Sequence, residues 1–205
     1  MRSRITILLL AAALVAPAFA QSESPEAVEQ RAALGFVEYT EYEKGDGIFA
    51  ITLGTGIPLT FYDPSAPGFT QANAFPGFAF GLSYMGFLDE RWALGGDIGG
   101  SFITTLADRR LFVAPFSFRA AYLINLSPFA ILPSAGVGMA ISSLGDYRHV
   151  DPLIKLGSSF YYRVNDDMSY GLNLFTNIIP QFYTDSSQNR VGFFQEVTLS
   201  LAYHL

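Results

Sequence analysis

The sequence from Phe78 to Phe102, FAFGLSYMGFLDERWALGGDIGGSF, alternates between two kinds of residue. Large apolar residues occupy one parity, whereas glycine, alanine, serine and Asp97 dominate the other. Successive side chains of a strand point to opposite faces of its sheet, so this alternation predicts two strands. The polar residues Asp89 to Arg91 lie between the two runs and predict the tight turn of a hairpin.

The composition of the two faces indicates the environment of this hairpin. A sheet in water places its large residues in a core, and its solvent face is seldom so rich in glycine. A transmembrane barrel has the opposite arrangement, with apolar side chains in lipid and small or polar ones in the lumen. We therefore predict a membrane barrel. The alternative is a soluble, lipocalin-like barrel whose large residues point inward.

Residues 47–205 contain eight such runs in all. Each run is at least as long as the ~9–11 residues that a tilted strand needs to cross a membrane. The sequence therefore predicts an all-β fold, a closed eight-stranded antiparallel transmembrane up-and-down β-barrel over residues 47–205. The runs are Gly47–Phe61, the two halves of Phe78–Phe102, Leu111–Ile124, Phe129–Ser142, Leu153–Arg163, Met168–Ile179 and Val191–Leu205.

The chain begins with the features of a secretory leader. Arg2 and Arg4 precede an apolar run that ends in Ala18-Phe19-Ala20, so residues 1–20 are predicted to be a signal peptide. Residues 21–46 are rich in glutamate and are predicted to form an acidic periplasmic segment, with entry into the barrel as a plug left open. The absence of cysteine excludes a disulfide framework and a thiolate metal site.

Composition and charge restrict the class of partner. Hydrophobic residues make up 50% of the chain and charged residues 15%, against about 25% charged residues in ordinary soluble domains. The chain has 12 basic and 18 acidic residues; without Arg2 and Arg4 the counts are 10 and 18, a net charge of −8. This balance argues against nucleic acid as a partner, because phosphates require a basic surface.

The ionisable residues inside the runs all fall on the small-residue parity. An arginine or lysine that faced lipid at mid-depth would cost about 2–4 kcal/mol, whereas in the lumen it can pair with an acid. We expect an ion pair between Asp97 and Arg119 and a contact between Lys155 and Glu196 across the interior. The predicted lumen charge network comprises Asp97, Arg119, Lys155 and Glu196, with Arg163 nearer a strand end.

Connections and aromatic residues predict the orientation. Short turns fall at Asp89–Arg91, Asn125–Pro128 and Val164–Asp167, and longer loops fall at Tyr62–Phe75, Thr105–Arg110, Leu144–Val150 and Thr184–Arg190. Short periplasmic turns and long external loops are typical of outer-membrane barrels, so both termini are predicted to be periplasmic. Aromatic residues near the run ends predict interfacial girdles. The girdle residues are Phe61, Tyr62, Phe75, Phe112, Trp92, Tyr122, Tyr162, Tyr170 and Tyr203.

Four prolines lie in or beside the runs. Proline has no N–H to donate to a strand pairing, and a closed barrel has no edge strand to accommodate it. We therefore expect a bulge or a strand end at Pro58, Pro115, Pro133 and Pro180.

The leader, the eight runs and the final sequence VTLSLAYHL, Val197 to Leu205, resemble the small eight-stranded outer-membrane proteins of the OmpA, OmpX and OmpW type. The resemblance covers residues 47–205. It implies a monomer in the bacterial outer membrane, with outer-membrane lipids and the barrel-assembly machinery as partners. It also implies that the last strand is an assembly signal, although Leu205 stands where that family usually has phenylalanine. The signal residues would be Val197, Leu199, Leu201, Tyr203 and Leu205.

We predict a non-enzymatic barrel with a structural or surface-interaction role, at most minor conductance, and neither cofactor nor metal. Eight strands enclose an interior just wide enough for side chains to fill, and His149 and His204 lie too far apart in the barrel to share a metal ion. One alternative, from the OmpW resemblance, is passage of a small hydrophobic solute. A lipid A-modifying enzyme is a further alternative, with His149, Asp151 and either Ser142 or Ser143 as its triad.

Overall fold

The computed structural model describes residues 41–65, 67–106, 108–145, 147–183 and 186–205, and these contain ten strands. The predicted signal peptide and most of the acidic segment lie outside these ranges. The strands are β1 (Gly47–Asp63), β2 (Gly68–Gln71), β3 (Gly77–Phe87), β4 (Trp92–Thr104), β5 (Arg110–Tyr122), β6 (Ile124–Leu126), β7 (Phe129–Leu144), β8 (Tyr147–Arg163), β9 (Met168–Gln181) and β10 (Arg190–His204).

Eight long strands form one closed antiparallel sheet. They follow chain order, β1-β3-β4-β5-β7-β8-β9-β10, and β10 pairs with β1 to close the barrel. The short strands β2 and β6 pair only with the end of β1 and the start of β7. The predicted closed eight-stranded barrel is confirmed. Within the described ranges, no helix is long and apolar enough to cross a membrane.

The two faces of the barrel have the orientation of a membrane protein. Phe118 and Leu199 on the outer face are 59% and 68% exposed, whereas Asp97 and Arg119 are 9% and 6% exposed. Large apolar side chains therefore cover the outside and ions lie within. The soluble alternative, which required the reverse, is wrong.

One of the predicted loops is instead formed by extensions of β7 and β8. The sequence predicted a loop at Leu144–Val150, but β7 continues to Leu144 and β8 begins at Tyr147. Gly145 adopts a positive φ of 62° at the turn, a conformation that glycine adopts without a steric penalty. A strand that projects beyond the hydrocarbon core needs no apolar face, so its residues can be polar on both faces. The extension therefore does not show the alternation by which the other strands were predicted.

The prolines disturb the strand pairing in different ways. At Pro58 the register of β1 with β10 shifts, as expected for a bulge. Pro180 lies one residue before the end of β9, as expected. At Pro133 the expectation is wrong, because this residue lies inside β7, in unbroken register with β8, where β7 changes its other partner from β5 to β6. At Pro115 the expectation of a bulge or strand end is wrong. The pairing of β4 with β5 is interrupted from Gly99 to Gly100 and resumes in the same register.

The bulge at Pro58 removes Phe61 from the predicted aromatic girdle. Beyond it Phe61 pairs with Gly192, packs against buried interior residues and meets the ring of Phe194 at 5.9 Å. The inserted residue changes the parity of β1, and a shift of one residue moves a side chain to the other face of a sheet. Phe61 is therefore an interior residue, not a member of an outer girdle.

A charge on the outer face tests this orientation. Leu199 lies on β10 opposite Leu53 and Leu172 of the neighbouring strands. We expect Leu199→Arg to lower the free energy of unfolding by about 2–4 kcal/mol, because the guanidinium would enter hydrocarbon. Equilibrium unfolding in urea from lipid vesicles measures this, with Leu199→Met as the matched control. Equal stability of the two variants would contradict a lipid-facing Leu199.

Candidate functional site: the barrel interior

The interior of the barrel has three layers. Buried apolar residues fill the end at which the strands start and finish near positions 47 and 204; this terminus-end cluster includes Ile48, Met85, Phe87, Leu123 and Leu132. A second group, the loop-end cluster, lies at the opposite end and comprises Ile103, Val113, Ala140, Leu153, Ile179 and Phe194, with Phe61 packed against it. Polar and charged residues occupy the middle layer.

The middle layer brings together the four residues of the charge network. Arg119 Nε lies 2.6 Å from Asp97 Oδ1, and Lys155 Nζ lies 3.0 Å from Asp97 Oδ2. The same Lys155 Nζ lies 3.0 Å from Glu196 Oε2. These residues belong to β4, β5, β8 and β10, so the ion pairs link strands on different sides of the barrel.

Uncharged side chains add hydrogen bonds to the network. Ser117 Oγ donates a hydrogen bond of 2.7 Å to Asp97 Oδ1, Arg119 Nη1 donates to Ser134 Oγ at 2.9 Å, and Asn177 Nδ2 donates to Glu196 Oε1 at 2.8 Å. Buried charges are tolerated when they are paired and their remaining polar atoms are bonded. Two carboxylates and two cations give the layer no net charge.

Phe175 is part of this layer, and the sequence analysis did not select it. Its ring centroid lies 4.6 Å from Arg119 Cζ and 5.1 Å from Lys155 Nζ, so both cations approach one aromatic ring. The alternation of residues along β9 could have identified Phe175 as an inward-facing residue. Phe175 alternates in phase with Asn173 and Asn177, which face inward, and not with the apolar outer residues of β9.

The space left in the middle layer is small. A cavity of about 40 Å³ lies among Asp97, Arg119, Lys155 and Glu196, and Thr52 and Ser83 also line it. A cavity needs about 10–15 Å³ for one water molecule, so this one has room for a few. It is too small for a larger solute.

Tyr42 closes the terminus end from outside the strands. It precedes β1, yet it is buried in the terminus-end cluster and stacks on Phe87 at 4.1 Å between ring centroids. Its hydroxyl lies 2.6 Å from His204 Nδ1, and Arg163 Cζ lies 4.7 Å from its ring centroid. Burial raises the pKa of Tyr42 above its usual range. At this residue the segment before the barrel enters the interior.

The two histidines have separate partners. His204 Nε2 lies 2.7 Å from Ser169 Oγ, at the terminus end. His149 belongs to strand β8, not to a loop, and its Nδ1 lies 2.8 Å from Oδ1 of the buried Asp151. Ser142 stands directly opposite His149 in the pairing of β7 with β8. Within the described chain, however, no hydrogen bond joins His149 to Ser142 or Ser143, so the structure does not assemble the triad.

The other predicted site residues lie on the outer surface. Aromatic pairs join neighbouring strands, with ring centroids 5.2 Å apart for Trp92 and Tyr122, and 4.8 Å apart for Phe102 and Phe112. Tyr62 meets Phe69, Tyr162 meets Phe129, and Tyr170 and Tyr203 are exposed. In the last strand Leu199, Leu201, Tyr203 and Leu205 are exposed and Val197 is half-buried. Their roles at the lipid interface and in assembly stay predictions.

Removal of Asp97 tests the charge network. We expect Asp97→Ala to lower the free energy of unfolding by about 3–5 kcal/mol, because Arg119 and Lys155 would keep buried charges with too few partners. Unfolding in urea measures this change. The matched control, Glu90→Gln in an exposed turn, should change the free energy by no more than about 0.5 kcal/mol. Equal effects of the two substitutions would contradict the network.

Known proteins share this architecture. A protein-family model matches residues 26–203, and no curated protein matches the chain. The crystal structure of Neisserial surface protein A (NspA) matches with a TM-score of 0.56 and 12% identity, over 80% of this chain and 99% of that one. The outer membrane protein OprG from Pseudomonas aeruginosa matches with a TM-score of 0.51 and 12% identity, over 82% and 99%. The chain therefore belongs to the family whose model spans residues 26–203, and it shares the fold of small eight-stranded outer-membrane barrels.

Proposed function

We propose that this protein is a non-enzymatic outer-membrane barrel with a filled polar lumen and a structural or surface-interaction role. Its strands carry lipid-facing apolar residues around an ionic interior, as a barrel that resides in a bilayer requires. The proposed partners are outer-membrane lipids and the barrel-assembly machinery, and the barrel acts as a monomer.

The charge network between two apolar clusters is the observation that carries this proposal. An apolar solute that moved along the axis would have to pass the paired ions of Asp97, Arg119 and Lys155. A hydrated ion would have to pass the loop-end and terminus-end clusters, where apolar side chains fill the interior. The three layers together oppose axial passage of either kind.

The connections support an orientation with both termini in the periplasm. At the terminus end the links are short, such as residues 88–91 and 164–167. At the other end the links at residues 64–76 and 182–189 are longer than any link at the terminus end, where the longest spans residues 123–128. This asymmetry is typical of outer-membrane barrels, whose longer loops face outward. The loop end would therefore face the cell exterior.

Recordings from planar bilayers test the filled lumen. We expect the reconstituted full chain to give no large, stable single-channel currents, because side chains occupy the interior at three levels. The same preparation after thermal denaturation is the control for contaminating channels. Large and reproducible current steps that disappear on denaturation would contradict the proposal.

A second candidate function is lateral passage of small hydrophobic molecules through the barrel wall. The interrupted pairing of Gly99 and Gly100 with Ala114 and Pro115 favours it, because missing ladder hydrogen bonds weaken the wall there.

Uptake of a fluorescent hydrophobic probe by cells distinguishes the two functions. We expect cells with and without the protein to take up the probe at equal rates. Faster uptake with the protein that Pro115→Val slows, by restoring an N–H, would favour lateral passage instead. The control is Pro133→Val, at another strand proline, which should leave the rate unchanged.

A further inference from the structure

We propose that the outer surface of β4, β5, β7 and β8 binds one phosphorylated lipid of the outer leaflet, with its phosphate on Arg110 and Arg148. This inference rests on the proposed orientation, in which the loop end faces the cell exterior. It goes beyond general contact with lipid, because it names a cationic rim and an apolar hollow that lie on the same face.

The strand register places the two arginines on the lipid-facing surface. Arg148 on β8 pairs with Ser143 on β7, and Ser143 pairs with Phe112 on β5. Directly paired residues point to the same face of a sheet, and Phe112 packs on the exposed Phe102. Arg110 lies two residues beyond Phe112 and therefore faces the same way. Both arginines stand at the loop end of the outer surface.

Both guanidinium groups are available to a ligand. Arg110 and Arg148 are exposed, and neither forms an ion pair with a carboxylate of the described residues. Their strands are separated only by β7, and Arg110 lies two residues further along its strand than the row of Arg148, so their Cα atoms lie about 12 Å apart, within the reach of two long side chains. Arginine binds phosphate oxygens through paired N–H donors. The Ser143 side chain lies between them on the same face.

An apolar hollow lies below this rim. Gly96 has no side chain between Tyr84 and Phe118, its partners on either side, and the surface there has a hollow of about 540 Å³. Phe116, Val137 and Met139 form the wall towards β7. A glycine at the centre of a row of large residues makes the outer surface concave at this point.

The distance between rim and hollow fits a lipid. Ser143 and Met139 are four residues apart on β7, a span of about 14 Å along the strand. Because barrel strands tilt by about 35–45°, this span is about 10–11 Å along the membrane normal, which lies within the depth of one leaflet, about half of the ~30 Å hydrocarbon core. A phosphate at the rim would therefore place an acyl chain of the same molecule over the hollow. Free phosphate would leave the hollow unused, so the lipid is the occupant that accounts for both features.

Native mass spectrometry of the full chain in detergent tests the site, with bisphosphorylated lipid A as the probe. We expect the double variant Arg110→Gln/Arg148→Gln to retain the probe about tenfold less strongly, because it loses charge-assisted hydrogen bonds. The matched control is Arg190→Gln, an exposed arginine at the same end that starts β10 on the inward parity. It should leave retention unchanged.

Two further arms test the parts of the site separately. Val137→Trp, which fills the hollow without touching the rim, should also weaken retention. Dephosphorylated lipid A should bind weakly and equally to the wild type and the double variant, and equimolar inorganic phosphate should not displace the probe. Undiminished retention by the double variant, or equal losses in Arg190→Gln, would overturn the phosphate site. Undiminished retention by Val137→Trp would overturn the acyl site.

A separate measurement distinguishes failure of the lipid site from failure of the orientation. Gln188 is exposed at the loop end, and Gln188→Cys should react with a membrane-impermeant maleimide on intact cells. Reaction only after permeabilisation would overturn the orientation and with it the outer-leaflet source. Reaction on intact cells together with unchanged lipid retention in the double variant would overturn the lipid site alone.

Discussion

The pairing of β1 with β10 is the constraint on which the rest of this structure depends. In hydrocarbon each unpaired N–H or C=O costs several kilocalories per mole, so a sheet can cross a membrane only when its two edges join. Here the ladder runs from the pair Ile48 and His204 to the pair Tyr62 and Val191. Once the sheet is closed, every strand residue faces either lipid or the lumen, and the sequence must satisfy both environments in alternation.

The narrow interior then determines which residues can stand side by side. A large side chain on one strand requires a small one on its neighbour. Gly136 pairs with Arg119, and a Cβ atom at Gly136 would overlap Arg119 Cγ. Glycine at this position therefore makes room for the arginine that reaches Asp97. The small residues at the inward-facing positions therefore leave room for the few large charged side chains that fill the middle layer.

Alternation explains how far the sequence could predict this fold. It located all eight long strands, and it placed Asp97, Arg119, Lys155 and Glu196 on one face, because side-chain direction depends only on parity within a regular strand. Alternation gave wrong predictions where a strand is irregular or extends beyond its apolar run. The bulge at Pro58 reversed the direction of Phe61, and the polar start of β8 concealed His149 within a strand. Tyr42 could not be found by parity, because it lies before the first strand and its burial depends on contacts with distant residues.

The contact between Tyr42 and His204 has a consequence for the order of assembly. Tyr42 stands five residues before β1, and His204 is the last residue of β10, so their hydrogen bond joins groups separated by 162 positions. Both groups reach this geometry only when the first and last strands have come together. The bond therefore forms late, after the barrel has closed. It adds a side-chain contact to the backbone pairing of β1 with β10, the one pair of neighbouring long strands that are not consecutive in the chain. Such a late hydrogen bond would slow the opening of the barrel more than it would speed the formation of the barrel.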